Sequence, residues 1–215
     1  MGCRIGSRLV QTTAPAADVM TLAEARAQCR VVPYGSPVAH DDDDLITRLI
    51  AVVTDELDGI DGWLNRALIN RTLQYALDGF PPCSNRIYLP LTSPTTDDAA
   101  TPISSVVYTD SNGDAQTLVE DTDFIVEKRN DPIYIEPVYG KSWPAIRAGT
   151  NAVTITYTAG YGAAASDIPE AIRSYMFVRL GQLHEFRELV VAGVTVAEVP
   201  FLRDSLENKR GRRPW

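Results

Sequence analysis

The spacing of apolar residues along this chain changes twice. Up to about Asn65 apolar residues recur every three or four positions, which predicts helices. From Arg71 to Tyr157 they alternate with polar residues, which predicts short strands. The helical spacing returns near Asp167. The order of these segments predicts an α+β fold, with a small helical bundle core and an antiparallel β unit inserted between the second and last long helices.

The predicted elements divide the 215 residues into four parts. Residues 1–70 form the N-terminal helical part of the core, and residues 71–158 form the β insertion. Residues 159–190 contain the C-terminal core helix, and residues 191–215 form an extended basic tail. A chain of this length with 45% hydrophobic residues can bury a substantial core.

Local signals predict where the helices begin. Thr21 and Glu24 have the spacing of a capping box, so a first helix should run to about Arg30. The acidic run Asp41 to Asp44 should cap a second helix. A third should begin at Asp167-Ile168-Pro169-Glu170. The apolar stripes of the second and third helices are Ile46, Ile50, Val53, Leu57, Ile60 and Leu64, and Ile172, Tyr175, Met176, Leu180 and Leu183.

The alternating region predicts six or seven strands. One hairpin should be closed by Asn112-Gly113, because this pair readily adopts positive φ. The segment Ala159 to Ala163 contains two glycines without the spacing of a phosphate-binding loop, so it predicts a turn or hinge. The predicted strands lie near 71–77, 87–89, 103–109, 116–119, 124–126, 133–135 and 153–157.

Several classes of protein are disfavoured by composition. The three cysteines, Cys3, Cys29 and Cys83, are odd in number and form no C-x-x-C pair, which argues against a disulfide framework and a zinc knuckle. No apolar run approaches the roughly 20 residues that span a bilayer. The first residues lack the apolar core of a signal peptide. We therefore expect a soluble cytosolic protein that does not bind membranes.

No catalytic arrangement of residues is evident. No nucleophile motif occurs, and neither histidine has a recognisable catalytic partner. His184 and Glu188 lie one helical turn apart, but two ligands do not make a zinc site. We expect this pair to face solvent on the last helix. The sequence predicts no enzymatic activity, no cofactor and no metal.

Charge is distributed unevenly along the chain. The net charge is −8, with acidic residues concentrated at Asp41 to Asp44 and basic residues in the last dozen positions. The whole chain is too acidic to hold duplex DNA, because that affinity depends on cationic groups. The basic tail can still contact phosphate or an acidic protein surface.

In the order of its segments, the chain resembles the head-tail connector, or adaptor, proteins of long-tailed bacteriophages and related prophages. The resemblance covers most of residues 20 to 189. The stretches that carry it are TLAEARAQCRV, DDDDLITRLIAVV, RALINRTLQYALDGFP, LPLTSP with ISSVVYTDSNGDAQTL, NAVTITYTAGYG and IPEAIRSYMFVRLGQLHEFRE.

The resemblance implies a structural protein of the virion neck, made in the cytoplasm of a host bacterium. Such adaptors form a ring, usually dodecameric, beneath the portal protein. They lengthen the DNA channel, through which DNA passes without specific binding. They join the capsid to the tail by presenting a surface to stopper or tail-completion proteins.

Two sets of residues follow as hypotheses. The C-terminal segment of such adaptors commonly reaches the portal, which assigns portal binding by position to Phe201, Arg203, Lys209, Arg210, Arg212, Arg213 and Trp215. Acidic residues lining a channel would prevent DNA from sticking to its wall. The candidates for this lining are Asp41, Asp42, Asp43 and Asp44.

Two alternatives remain open. A carbohydrate- or peptide-binding module would use the aromatic residues of the β region, since Tyr and Trp are enriched in binding surfaces. A nucleic-acid-binding regulator would use the basic residues between 203 and 215. The aromatic residues are Tyr88, Tyr108, Tyr134, Tyr139, Trp143, Tyr157 and Tyr161.

Overall fold

A computed structural model of the chain describes residues 6–31, 39–82, 84–93, 102–147, 149–186, 206–207 and 209–211. These residues fall into two compact units. The helical unit is drawn from residues 17–69 and 161–210. The β unit is drawn from residues 1–16, 70–160 and 211–215.

The prediction of an α+β fold is confirmed. The helices are α1 (Leu22–Gln28), α2 (Asp43–Leu57) and α3 (Glu170–Glu185), with a short 3-10 helix at Ala165–Asp167. The strands are β1 (Ser7–Thr13), β2 (Arg71–Leu77), β3 (Ile87–Tyr88), β4 (Ile103–Thr109), β5 (Ala115–Leu118), β6 (Phe124–Glu127), β7 (Tyr134–Pro137) and β8 (Val153–Ala159).

The predicted capping box begins α1. The Glu24 amide donates to the Thr21 hydroxyl at 3.2 Å, and the Thr21 amide donates to the Glu24 carboxylate at 2.8 Å. The Thr21 amide bond is the main reason that the pKa of Glu24 lies below its usual value. Arg173 on α3 also binds this carboxylate, at 2.9 Å, so the cap of α1 is tied to a neighbouring helix.

Helix α2 ends at Leu57, about two turns earlier than predicted. Asp58 takes an extended conformation and Gly59 has a φ of +83°, so the helical backbone cannot continue. The Asp58 carboxylate accepts the Leu68 amide at 2.9 Å and holds the turn. Ile60 is consequently 38% exposed, whereas Leu64 is fully buried although it lies in a loop.

Helix α3 begins after Pro169, and Asp167 does not cap it. The Asp167 carboxylate instead accepts the Ala164 amide at 2.9 Å in the 3-10 turn before the helix. The apolar stripe is as predicted, since Ile172, Met176 and Leu180 are buried in the core of the helical unit. Tyr175 and Leu183 pack at its edge.

A charged contact joins α2 to α3 on the surface of the helical unit. Two nitrogens of the Arg179 guanidinium each bind one oxygen of the Glu56 carboxylate at 2.9 Å. The hydrogen bond to Glu56 raises the pKa of Arg179. Because both side chains are about one-third exposed, water and salt weaken the pair.

The described strands of the β unit form two antiparallel sheets. The five-stranded sheet has the order β1-β2-β8-β4-β5, and the three-stranded sheet has the order β3-β7-β6. Every predicted strand corresponds to an observed one. Strand β8 shows the clearest alternation, with Val153, Ile155, Tyr157 and Ala159 buried and the residues between them half-buried.

Strand β1 was not predicted, so the assignment of residues 1–70 to a helical part is wrong for Ser7–Thr13. This segment pairs antiparallel with β2, placing Leu9 opposite Tyr75 and Gln11 opposite Leu73. Six of its seven residues are exposed. The segment therefore lacks the alternation of apolar and polar residues by which half-buried strands are recognised.

Gly160 forms a close backbone approach at the end of β8. Its φ is +148°, and a Cβ atom at this position would lie 2.5 Å from the amide nitrogen of Asn70, just before β2. Only glycine fits this contact without a shift of the backbone. The bend that follows agrees with the predicted turn.

Among the described residues, none of the helices combines the length and the apolar character needed to cross a membrane.

Candidate interaction surfaces

The acidic run Asp41 to Asp44 lies at the start of α2. Asp42 is the residue before the first turn, but its side chain makes no capping hydrogen bond, which differs from the predicted cap. Asp43 and Asp44 occupy the first turn, where negative charge favours the helix dipole. The Asp43 carboxylate also accepts the His40 amide at 2.9 Å.

Asp43 forms an ion pair with Arg26 of α1. The Arg26 Nε atom lies 2.6 Å from a carboxylate oxygen of Asp43, and a second guanidinium nitrogen binds the other oxygen. The two side chains are only 12% and 17% exposed. The bond from Arg26 holds the pKa of Asp43 below its usual value, with help from the His40 amide. The same bond raises the pKa of Arg26.

Asp42 lies beside His184 of α3. The His184 Nε2 atom is 3.5 Å from a carboxylate oxygen of Asp42, and the imidazole is 13% exposed. The prediction that His184 faces solvent is therefore wrong, and Glu188 lies outside the described residues. The charge of Asp42 also acts on the thiol of Cys29. Burial raises the pKa of this thiol, and the negative charge of Asp42 raises it further.

The four acidic residues thus divide into two classes. Asp42 and Asp43 are half-buried against residues of α1 and α3, whereas Asp41 and Asp44 are exposed. Of these four residues, Asp41 and Asp44 present their negative charge to solvent.

The C-terminal segment contacts the helical unit, which corrects the prediction of an extended tail for residues 206–207 and 209–210. Leu206 is 2% exposed and belongs to the helical core. The Arg66 Nε atom donates to the backbone carbonyl of Lys209 at 2.6 Å. The Arg210 guanidinium lies 5.3 Å from the centre of the Trp63 ring. We call the described residues 206–207 and 209–210 the C-terminal anchor.

Two predicted portal-binding residues belong to this anchor. The side chains of Lys209 and Arg210 are exposed, so they remain accessible to a partner while their backbone is held. The other candidates lie outside the described residues: Phe201, Arg203, Arg212, Arg213 and Trp215.

Sequence reasoning missed the residues that receive the anchor, Trp63 and Arg66. One signal was present, because Arg66 lies within an apolar run and is 4% exposed. A buried arginine needs hydrogen-bond acceptors for its N–H groups. One acceptor of Arg66 is the backbone carbonyl of Lys209, which lies 143 positions later in the sequence. Sequence spacing could not identify so distant a partner.

The aromatic residues of the β unit differ widely in environment. Tyr157 is fully buried, and its hydroxyl donates to the Pro90 carbonyl at 2.9 Å. Burial raises the pKa of Tyr157 well above its usual value. Phe80 and Trp143 stack on each other with centroids 4.7 Å apart, whereas Tyr139 is fully exposed. Much of the aromatic character therefore serves packing.

No group of three or more His, Cys, Asp or Glu side chains that could hold a metal ion occurs in the part of the chain that the structure describes.

The fold has known counterparts. A chain in the structure of the neck of an empty gene transfer agent (GTA) particle, computed with C6 symmetry, matches with a TM-score of 0.71 and 22% identity, over 97% of each chain. A chain in the neck of the native GTA particle, computed with C12 symmetry, matches with a TM-score of 0.66 and 22% identity, over 97% of each chain. These chains share one fold.

A third match extends the same result. A chain in the virion of the native GTA particle has a TM-score of 0.65 and 21% identity, over 96% of this chain and 97% of that one. The sequence matches no protein-family model and has no significant match among curated proteins. At this level of identity the likeness concerns the fold, and it includes both units because the coverage is nearly complete.

Proposed function

We propose that this chain is a structural protein of a phage-type virion neck. In this role it is a head-tail adaptor that forms a ring of twelve subunits beneath the portal protein. The observation that carries the proposal is the fold match over 97% of both chains to a protein of a GTA particle neck. A match that covers both units carries more weight than a match confined to one common domain.

The ring would extend the channel through which DNA leaves the capsid. Exposed carboxylates suit the wall of such a channel because they repel the phosphate backbone. Asp41 and Asp44 are the exposed members of the acidic run, so we assign the channel-facing charge to them. Asp42 and Asp43 are engaged within the subunit and serve mainly to hold α2.

The portal would bind above this ring, and a stopper or tail-completion protein would bind below it. We assign portal contact to the basic C-terminal residues, of which Lys209 and Arg210 are presented by the C-terminal anchor. The anchor fixes the point from which the last residues of the chain can reach a partner.

Native mass spectrometry tests this proposal with the purified chain, alone and mixed with the portal protein of the same genome. We expect a ring or a stoichiometric complex with the portal. A version ending at Arg210 should keep the fold, since Leu206 is retained, and should bind the portal more weakly. A chain that stays monomeric and does not bind the portal protein would contradict the proposal.

Matched charge variants locate the contact. Lys209→Glu should weaken portal binding, because this side chain is exposed and its contact with Arg66 uses only the backbone. Arg147→Glu, an exposed site in the β unit with the same change of charge, should not. Equal effects of the two variants would show that only net charge matters.

A further inference from the structure

The five-stranded sheet has two different edges. Strand β1 forms one edge and β5 forms the other. Within the described residues, no strand pairs with the outer side of either. A sheet edge whose outer backbone amides and carbonyls pair with no strand can accept a strand of another chain.

Strand β1 buries very little for a strand of seven residues. Only Leu9 is half-buried, and Val10 is 46% exposed. Ordering each backbone residue costs about 1–2 kcal/mol, which burial of side chains normally offsets. Because β1 gains little stabilisation from burial within its own chain, pairing with a strand of a neighbouring chain would stabilise it further. One irregularity near Gln11 and Thr13 interrupts its pairing with β2.

The two edges differ in charge. Strand β5 has three exposed residues out of four and is flanked by the carboxylates of Asp114 and Glu120. Strand β1 contains Arg8 and no acidic residue, and Arg71 of β2 donates to its Gln11 at 3.2 Å. The β1 edge is thus the more basic and the β5 edge the more acidic, which favours contact between unlike edges.

The directions of the strands restrict how two copies can meet. Each neighbouring pair in the sheet is antiparallel, so four successive reversals leave β1 and β5 running in the same direction. Neighbours in a ring of many subunits are rotated by a small angle, which preserves strand direction. An edge-to-edge contact in such a ring therefore pairs β1 parallel to β5.

The registers also show which side chains share a face. A row across the sheet joins Arg8, Ala76, Thr154, Val107 and Thr117. Because side chains alternate, Val10 lies on the same face as Arg8, and Ala115 lies on the same face as Thr117.

We propose that β1 of one subunit adds to the β5 edge of the next copy of this chain, so that the five-stranded sheets join edge to edge around the ring. The contact uses two different surfaces of one subunit, and such a head-to-tail contact can close into a ring. This inference rests on the proposed ring and specifies the surface by which it assembles.

Disulfide cross-linking tests the contact. Adjacent strands lie about 4.7–4.9 Å apart, which is within the Cα separation that a disulfide spans. In a background with Cys3, Cys29 and Cys83 replaced by Ala, we would combine Val10→Cys with Thr117→Cys or with Ala115→Cys. Mild oxidation of the assembled ring should give a ladder of covalent multimers on a non-reducing gel, and each single-cysteine variant should give monomers.

The outcomes separate this inference from the proposed function. Covalent dimers from Val10→Cys alone would show that β1 meets a second β1, and would overturn the inference. Rings seen by native mass spectrometry without a ladder from either pair would overturn it and leave the adaptor proposal intact. A chain that stays monomeric and does not bind the portal protein would refute both the edge contact and the adaptor proposal.

A charge variant gives an independent readout. Arg8→Glu should weaken the affinity of each subunit contact by about tenfold, since it replaces attraction by repulsion at a partly exposed contact. The ring should therefore dissociate at a higher protein concentration than the ring of the unsubstituted chain. Arg48→Glu, an exposed site on α2, is the matched control and should leave assembly unchanged. Circular dichroism of both variants would verify folding. Equal assembly of Arg8→Glu and the parent chain would contradict the proposed edge contact.

Discussion

Replacing Leu206 by alanine should release the C-terminal anchor from the helical unit. Leu206 is 2% exposed in the core, and truncating a leucine at such a site costs about 2–5 kcal/mol. This cost corresponds to a factor of about 30 to several thousand in the docking equilibrium. Ordering the backbone of the anchor costs about 1–2 kcal/mol per residue, so the docked state depends on each of its few contacts.

Hydrogen exchange measures this release directly. The Lys209 amide donates to the Leu206 carbonyl at 2.8 Å, and the Arg210 amide donates to the Glu207 carbonyl at 3.2 Å. In Leu206→Ala both amides should exchange as in an unstructured chain. Because the rest of the helical core can stay folded while the anchor opens, the global unfolding free energy should fall by no more than the docking free energy.

Lys209→Ala is the matched control for this experiment. Its side chain is exposed, and its contact with Arg66 uses the backbone carbonyl, which alanine retains. We expect protection within the anchor to be unchanged. If Leu206→Ala also left protection unchanged, the reasoning that burial of Leu206 holds the anchor would be refuted.

Four further outcomes are expected from thermal or denaturant unfolding. Tyr157→Phe should cost about 1–3 kcal/mol, because it leaves the buried Pro90 carbonyl without its donor. The pKa of Tyr157 is raised in the folded state, so the unsubstituted protein should lose stability above about pH 10, where the tyrosine of the unfolded chain ionises. Asp43→Asn should lower the melting temperature at pH 7, and the difference should shrink as acidity protonates Asp43, whose pKa is lowered in the folded state. Arg179→Ala should cost about 0.5–1 kcal/mol, and a double-mutant cycle with Glu56 should show coupling of that size at low salt that declines at high salt. Gly160→Ala should cost at least about 2 kcal/mol, because both the positive φ and the close contact with Asn70 exclude a Cβ atom. A loss below about 0.5 kcal/mol would show that the backbone can shift.

Local sequence signals predicted those elements whose stability is mainly local. The capping box at Thr21 and Glu24 is confirmed because both partners lie within one turn. The alternation in β8 is clear because one face of this central strand is buried. The end of α2 was placed too late because the apolar spacing continues through Ile60 and Leu64 after the backbone has left the helix at Asp58.

Contacts between residues far apart in sequence were not predictable from local patterns. Strand β1 exists by pairing with β2, and its own residues carry little apolar signal. The anchor was assigned to a polar, basic tail, yet Leu206 lies in the helical core and the Lys209 carbonyl binds the buried Arg66. Among the acidic candidates, the sequence could not separate Asp42 and Asp43 from their exposed neighbours, because their partners lie on other helices.

The pairing of β1 with β2 also affects the order in which the chain can fold during synthesis. Thr12 of β1 bonds the carbonyl of Thr72, 60 positions later, so β1 leaves the ribosome well before its partner strand. Helices α1 and α2 are made in this interval and need no residue of the sheet for their hydrogen bonds. An early strand that is mostly polar can wait in water without aggregating, which a more hydrophobic strand could not do safely. The low apolar content of β1, which prevented its recognition from the sequence, thus also limits aggregation of the nascent chain until the sheet can form.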